Sequence, residues 1–155
     1  MKLWIKILLI LAVAGIIAGF LFYHFVINKP HPDFEKVKPD YMLDAGAFYK
    51  EFKTNKENAA KLFNGKVIEI TGRLSRVESV DTLTIAIFAF KQGMFGSEGI
   101  RCTMLKKYSE DAKKLKPDGF IQIKGYCDGL LNETDVILEH CSLIYNPNLN
   151  SIYHE

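Results

Sequence analysis

What this chain has little of narrows its chemistry before any pattern is read. It carries three cysteines in 155 residues and none before Cys102, so a lipid-modified amino-terminal cysteine is not expected, and no C-x-x-C offers a redox motif or half a zinc site. Its four histidines, His24, His31, His140 and His154, are scattered without the spacing that builds a metal centre. His140 and Cys141 are neighbours, but on a strand adjacent side chains point to opposite faces, so they do not form a nucleophile–base pair. No catalytic residue, metal or cofactor is expected. A charge excess is missing as well. Of 20 Lys and Arg and 18 Asp and Glu, five and three precede Tyr41, which leaves fifteen of each sign beyond it. A protein that tracks a phosphate backbone shows a basic excess, so this balance disfavours nucleic acid as a ligand.

Charge is absent altogether from Ile7 to Ile27, and as a helix that run covers about 30 Å, the thickness of a bilayer's hydrocarbon core. Trp4 at one end and Tyr23 with His24 at the other suit the interfaces. Residues 1–28 therefore read as a single transmembrane anchor. The rival reading is a cleaved signal peptide ending near Ala12-Val13-Ala14, but apolar residues continue well past that point. Lys2 and Lys6 face Lys29, Lys36 and Lys38 across the span, nearly a tie for the positive-inside rule. The short leading segment favours an inside amino terminus and a domain outside the cytoplasm. Gly15 and Gly19 form G-x-x-x-G, a spacing that lets two such helices approach as a homodimer. Residues 29–42, with Pro30, Pro32 and Pro39 among charges, predict an extended tether.

From there the periodicity changes in blocks. Phe48, Phe52, Ala59, Leu62 and Phe63 recur at helical intervals and predict a helical lead-in over 43–64, with Thr54 or Asn55 available as a cap. Apolar alternation then predicts five strands between 65 and 146. The first, KVIEITGRLSRV, places Gly72 in phase with Ile68, Ile70 and Leu74, a sign of a bulge or sharp bend. The second is DTLTIAIFAF and the third GIRCTML. A short helix, KKYSEDAKK, ends at Pro117 and Gly119. FIQIKGYC and TDVILEHCSLIY are the fourth and fifth strands, and 147–155 read as a tail.

A β-β-β-α-β-β order with a glycine-bent first strand fits a mostly-β, five-stranded OB barrel, preceded here by helical segments and the transmembrane helix. The motifs NAAKLFNGKVIEITGRL, IRC, LKPDGFIQIKGYCDG and VILEHCSLI, spread over Asn58 to Ile144, resemble the bacterial tRNA-anticodon-like OB-fold family, many of whose members are exported or membrane-anchored. That resemblance implies a binding module on the periplasmic side of the inner membrane, without establishing tRNA as its ligand. OB barrels bind with the outward side of their second and third strands. If Leu83, Ile85 and Ile87 point inward, the outward set is Thr84, Phe88 and Phe90 with Arg101 and Thr103, and Arg73 and Arg76 add charge nearby. The helical lead-in packing over Phe88 and Phe90 is the competing expectation. Protein or glycan is the expected ligand class, with a purely structural subunit or an oligonucleotide binder as alternatives. A turn centred near Leu131 sets Cys127 opposite Asp135 and keeps it far from Cys141. Cys102 and Cys141, on strands that run side by side in an OB barrel, are the pair able to form a disulfide.

Overall fold

The computed structural model describes residues 3–23, 34–94 and 96–144, and the chain divides into two units, Met1–Pro32 and Asp33–Glu155. The described residues of the first unit hold one helix, α1 (Leu3–Phe22). It starts ahead of the charge-free run, taking in Lys6, and its Trp4–Phe22 stretch is long and apolar enough to cross a membrane. His24, the distal end of the expected span, Pro30, Pro32 and the tail lie outside the described residues.

The second unit contains β1 (Tyr41–Asp44), α2 (Ala45–Thr54), α3 (Lys56–Phe63), β2 (Val67–Arg73), β3 (Arg76–Val80), β4 (Leu83–Gly93), β5 (Gly96–Met104), α4 (Ser109–Lys113, after one 3-10 turn), β6 (Phe120–Leu131) and β7 (Asp135–Ile144). The sheet order is β1-β2-β6-β7-β5-β4-β3. β2 and β3 are the two halves of the expected first strand, bent between Arg73 and Arg76. That bend brings β2 against β6 and β3 against β4, and the parallel β5–β7 pair closes the ring. This is the five-stranded OB barrel, with its first strand serving both sides.

Gly72 lets Ala45 and the Phe88 ring pack close against β2. A Cβ there would stand 2.7 Å from the Cβ of Ala45 and 3.4 Å from the Phe88 ring. Asp44 caps α2 by accepting from Ala47 N at 3.0 Å, and Asn55 caps α3 by accepting from Asn58 N at 3.1 Å. The two short helices bring Phe48 edge-on to Phe52 and Phe63 at 5.5 and 5.2 Å between ring centres, with Phe52 and Phe63 tilted at 5.9 Å. With Ile68, Ile70, Ile100, Ile123, Val136 and Leu138 they make one buried core.

Two segments depart from expectation. Residues 34–40 are docked and not an extended tether: Lys124 Nζ donates to the carbonyls of Glu35 and Val37 at 2.7 and 2.9 Å, and Asp40 N donates to Val67 O at 2.8 Å. β1, placed across the tether and helical lead-in, then pairs parallel with β2 and adds a strand outside the barrel. In the last hairpin Leu131 pairs with Asp135, so the turn occupies 132–134, where Asn132 and Glu133 take positive φ. A bulge at Asp128 follows, and Cys127 consequently faces Leu138 instead of Asp135.

Candidate nucleic-acid or protein interface

The outer face of β3, β4 and β5 is defined by its cross-strand partners, because residues directly opposite one another share a face. One row is Arg76, Ile87, Arg101; the next is Glu78, Ile85, Thr103; the last is Val80 with Leu83. The phase of β4 is thus the reverse of the expected one. Phe88 (0% exposed) and Thr84 (2%) point into the barrel, and Leu83 (51%) is on the surface. Phe88 belongs to the same buried cluster as Phe48 and Phe52, so the competing expectation holds for that ring. Phe90 sits at the bulge between Ala89 and Lys91 and is partly exposed, its ring stacked on Tyr49 of α2 at 5.2 Å. The inward row is Thr84, Ala86 and Phe88, with the Phe88 ring lying close over Gly72. Ile87 is nonetheless buried, flanked on its own face by Arg76 and Arg101, whose aliphatic stems can cover it.

The arginines of this face are neutralised where they stand. Arg76 Nε meets Glu78 Oε1 at 2.6 Å, Arg101 Nη1 lies 3.8 Å from Glu78 Oε2, and Arg101 Nε meets Asp135 Oδ2 at 2.9 Å. Asp135 also accepts from Gly99 N at 2.9 Å, and Arg76 Nη1 donates to Ser97 Oγ at 2.9 Å. Arg73 is not part of the group; it lies over the Phe120 ring at 5.6 Å, next to the bend. Residue-type reasoning therefore found Arg76, Arg101 and Thr103 but missed Glu78, Asp135, Val80, Leu83, Ile85 and Ile87. The i, i+2 spacing of Arg76 and Glu78, which puts them on one side of a strand, was the available signal.

At one end of this face the β4–β5 and β6–β7 hairpins enclose a cleft of about 130 Å³ floored by Arg101 and Asp135. Its rim carries Met94, 95% exposed; Phe95 lies outside the described residues. Tyr49 ties α2 to this end, its hydroxyl within reach of Glu98 Oε2 (3.4 Å) and Thr134 O (3.1 Å), and burial pushes that hydroxyl's pKa up. Among the described residues no cluster of His, Cys, Asp or Glu could hold a metal ion. All three cysteines are buried free thiols. Burial raises the Cys127 thiol to about 12. Cys102 and Cys141 interact in the interior but are not bridged.

A closed, bent-strand barrel presenting one open strand face flanked by hairpins defines an OB-fold protein. The chain belongs to the tRNA_anti-like family, whose model matches residues 1–143. Among solved structures it is similar to a lipoprotein from Klebsiella pneumoniae assigned as nucleic acid-binding, with a TM-score of 0.52 at 14% identity over 76% of this chain and 100% of that one. It is also similar to the aspartyl-tRNA synthetase of Entamoeba histolytica, with a TM-score of 0.43 at 12% identity over 77% of this chain and 24% of that one. No curated protein matches it. At these identities the likenesses show the fold alone.

Proposed function

We propose that this protein is a membrane-anchored, non-enzymatic OB-fold binding module displayed outside the cytoplasm, and that the outer face of β3, β4 and β5 takes a protein partner. One observation carries the choice of ligand: the face offers a partly exposed apolar strip, Val80, Leu83 and Ile85, beside arginines already matched by Glu78 and Asp135. A nucleic acid needs unmatched cations along its backbone and aromatic faces for its bases. Phe88 is buried, and Phe90 has given one side of its ring to Tyr49. A charge-balanced rim around apolar contacts is instead the composition of a protein–protein patch. Anchoring is supported by α1 and by a family match that spans the helix together with the barrel.

Affinity capture from crosslinked membranes tests the reading. Wild type is expected to retain a defined protein partner, and Leu83→Asp to lose it, while the exposed α3 substitution Leu62→Asp keeps it. Equal capture by all three removes the face from the reading. A low-salt titration with single-stranded RNA and DNA is expected to show no binding. Saturable binding there would transfer the site to an oligonucleotide ligand.

A further inference from the structure

Cys102 and Cys141 occupy diagonal positions on paired strands, Cys102 opposite Leu138 on β7 and Met104 of β5 opposite Cys141. Regular alternation from Val136 and Leu138 would turn residue 140 inward and residue 141 out. A bulge reverses this. His140 adopts a φ of +52°, and Cys141 is then fully buried. Room for its sulfur comes from Gly125 on β6, where a Cβ would stand 2.4 Å from Cys141 Sγ. Two departures from regular strand, a left-handed histidine and an interior glycine, thus set one sulfur beside Cys102. The third thiol, Cys127, faces Leu138 from β6, with β7 between it and β5.

From this geometry we infer that Cys102 and Cys141 form a redox-dependent crosslink between β5 and β7, closed by exchange with a protein or small-molecule disulfide, while Cys127 remains a thiol. One cysteine thiolate attacks the oxidant's S–S bond, giving a mixed disulfide and expelling one oxidant thiolate. The second cysteine attacks that mixed disulfide, forming the Cys102–Cys141 bond and expelling the other. Two protein thiols lose two electrons, and the two oxidant sulfurs gain them together with the two protons. Burial and the neighbouring thiol hold Cys141 in its protonated form in the closed barrel, so exchange belongs to the folding chain, before the sulfurs are enclosed. The bond would fasten β5, which bears Arg101 and Thr103, to the strand that begins at Asp135. Its occurrence in cells rests on the proposed display outside the cytoplasm; its chemistry does not.

The test is to refold the full chain in detergent with reduced and oxidised glutathione, alkylate it under denaturing conditions and map the peptides by mass spectrometry. Alkylation of Cys127 alone, with a Cys102–Cys141 crosslinked peptide, is expected, and Cys127→Ser is expected to keep that crosslink. Three alkylated thiols, or a crosslink that includes Cys127, overturns the pairing. Protein taken directly from membranes and blocked at once separates the two readings. A crosslink formed on refolding but absent there supports the pairing and counts against display outside the cytoplasm.

Discussion

Phe88 and Phe90 are two positions apart on β4, and their surroundings assign them opposite weights. Phe88 is enclosed between Gly72 and the helix-borne aromatics. Truncation to Ala is expected to cost about 3–5 kcal/mol. Phe90→Ala removes only a partly exposed stacked pair, expected to be worth about 1 kcal/mol beyond a little area. Denaturant midpoints of the full chain in detergent check this; equal losses would put Phe88 back on the surface. Asp135 has two partners, Arg101 Nε and Gly99 N, and Arg101 has two carboxylates. A double-mutant cycle of Arg101→Ala and Asp135→Ala is expected to give a coupling of about 0.5–1 kcal/mol that shrinks with salt. A null coupling would contradict the ion-pair chain. The direction of Phe88 was illegible in the sequence because β4 is apolar in both phases. Leu83, Ile85 and Ile87 outweigh Thr84, Ala86 and Phe88 in hydrophobicity, while the register with β3 and β5 turns the second set inward. Ile100, Cys102 and Met104 posed no such conflict, since they alternate with Arg101 and Thr103, and all three are buried.

Elements that form by local chemistry were legible, and elements that form by long-range pairing were not. The α2–α3 pair, the bent first strand and the short helix before β6 follow from caps, a phased glycine and a terminating proline. The segment 34–40 has prolines and charges that read as linker. Its order comes from groups far along the chain: Lys124, Tyr108 and Lys107 converge on Glu35 and its neighbours, and Phe34 stacks on His140 at 5.3 Å. The Tyr108 hydroxyl donates to the Glu35 carboxylate, and that bond, with burial, raises its pKa. A group whose folded pKa is raised stabilises fully below its ordinary value and loses that stabilisation as pH rises through the folded one. Release of residues 34–40 is therefore expected only above about pH 10, the ordinary tyrosine value, and cleavage by trypsin after Lys36 is expected to be slow at neutral pH. Tyr108→Phe is expected to be cut readily at neutral pH. Unchanged protection in that variant would mean that the contacts of Lys124, Lys107, Phe34 and Asp40 hold the segment without the Tyr108 bond.

As a whole molecule, the chain joins an apolar helix to a barrel whose charges cancel from Tyr41 onward, and both features were legible from counts alone. Its binding side was not, because a face emerges only once register fixes which residues share it. Neutrality has a measurable consequence. Any residual association with single-stranded nucleic acid is expected to be weak, with little of the steep salt dependence that released counterions produce. The central claim is that the Val80–Leu83–Ile85 strip meets a protein. Placing a photoreactive amino acid at Leu83 in the full-length chain, and irradiating intact membranes, tests it most directly. The expected result is a discrete protein adduct from Leu83 that is absent when the same group stands at Leu62 on α3. An adduct pattern shared by both positions, or none from Leu83, would contradict the account.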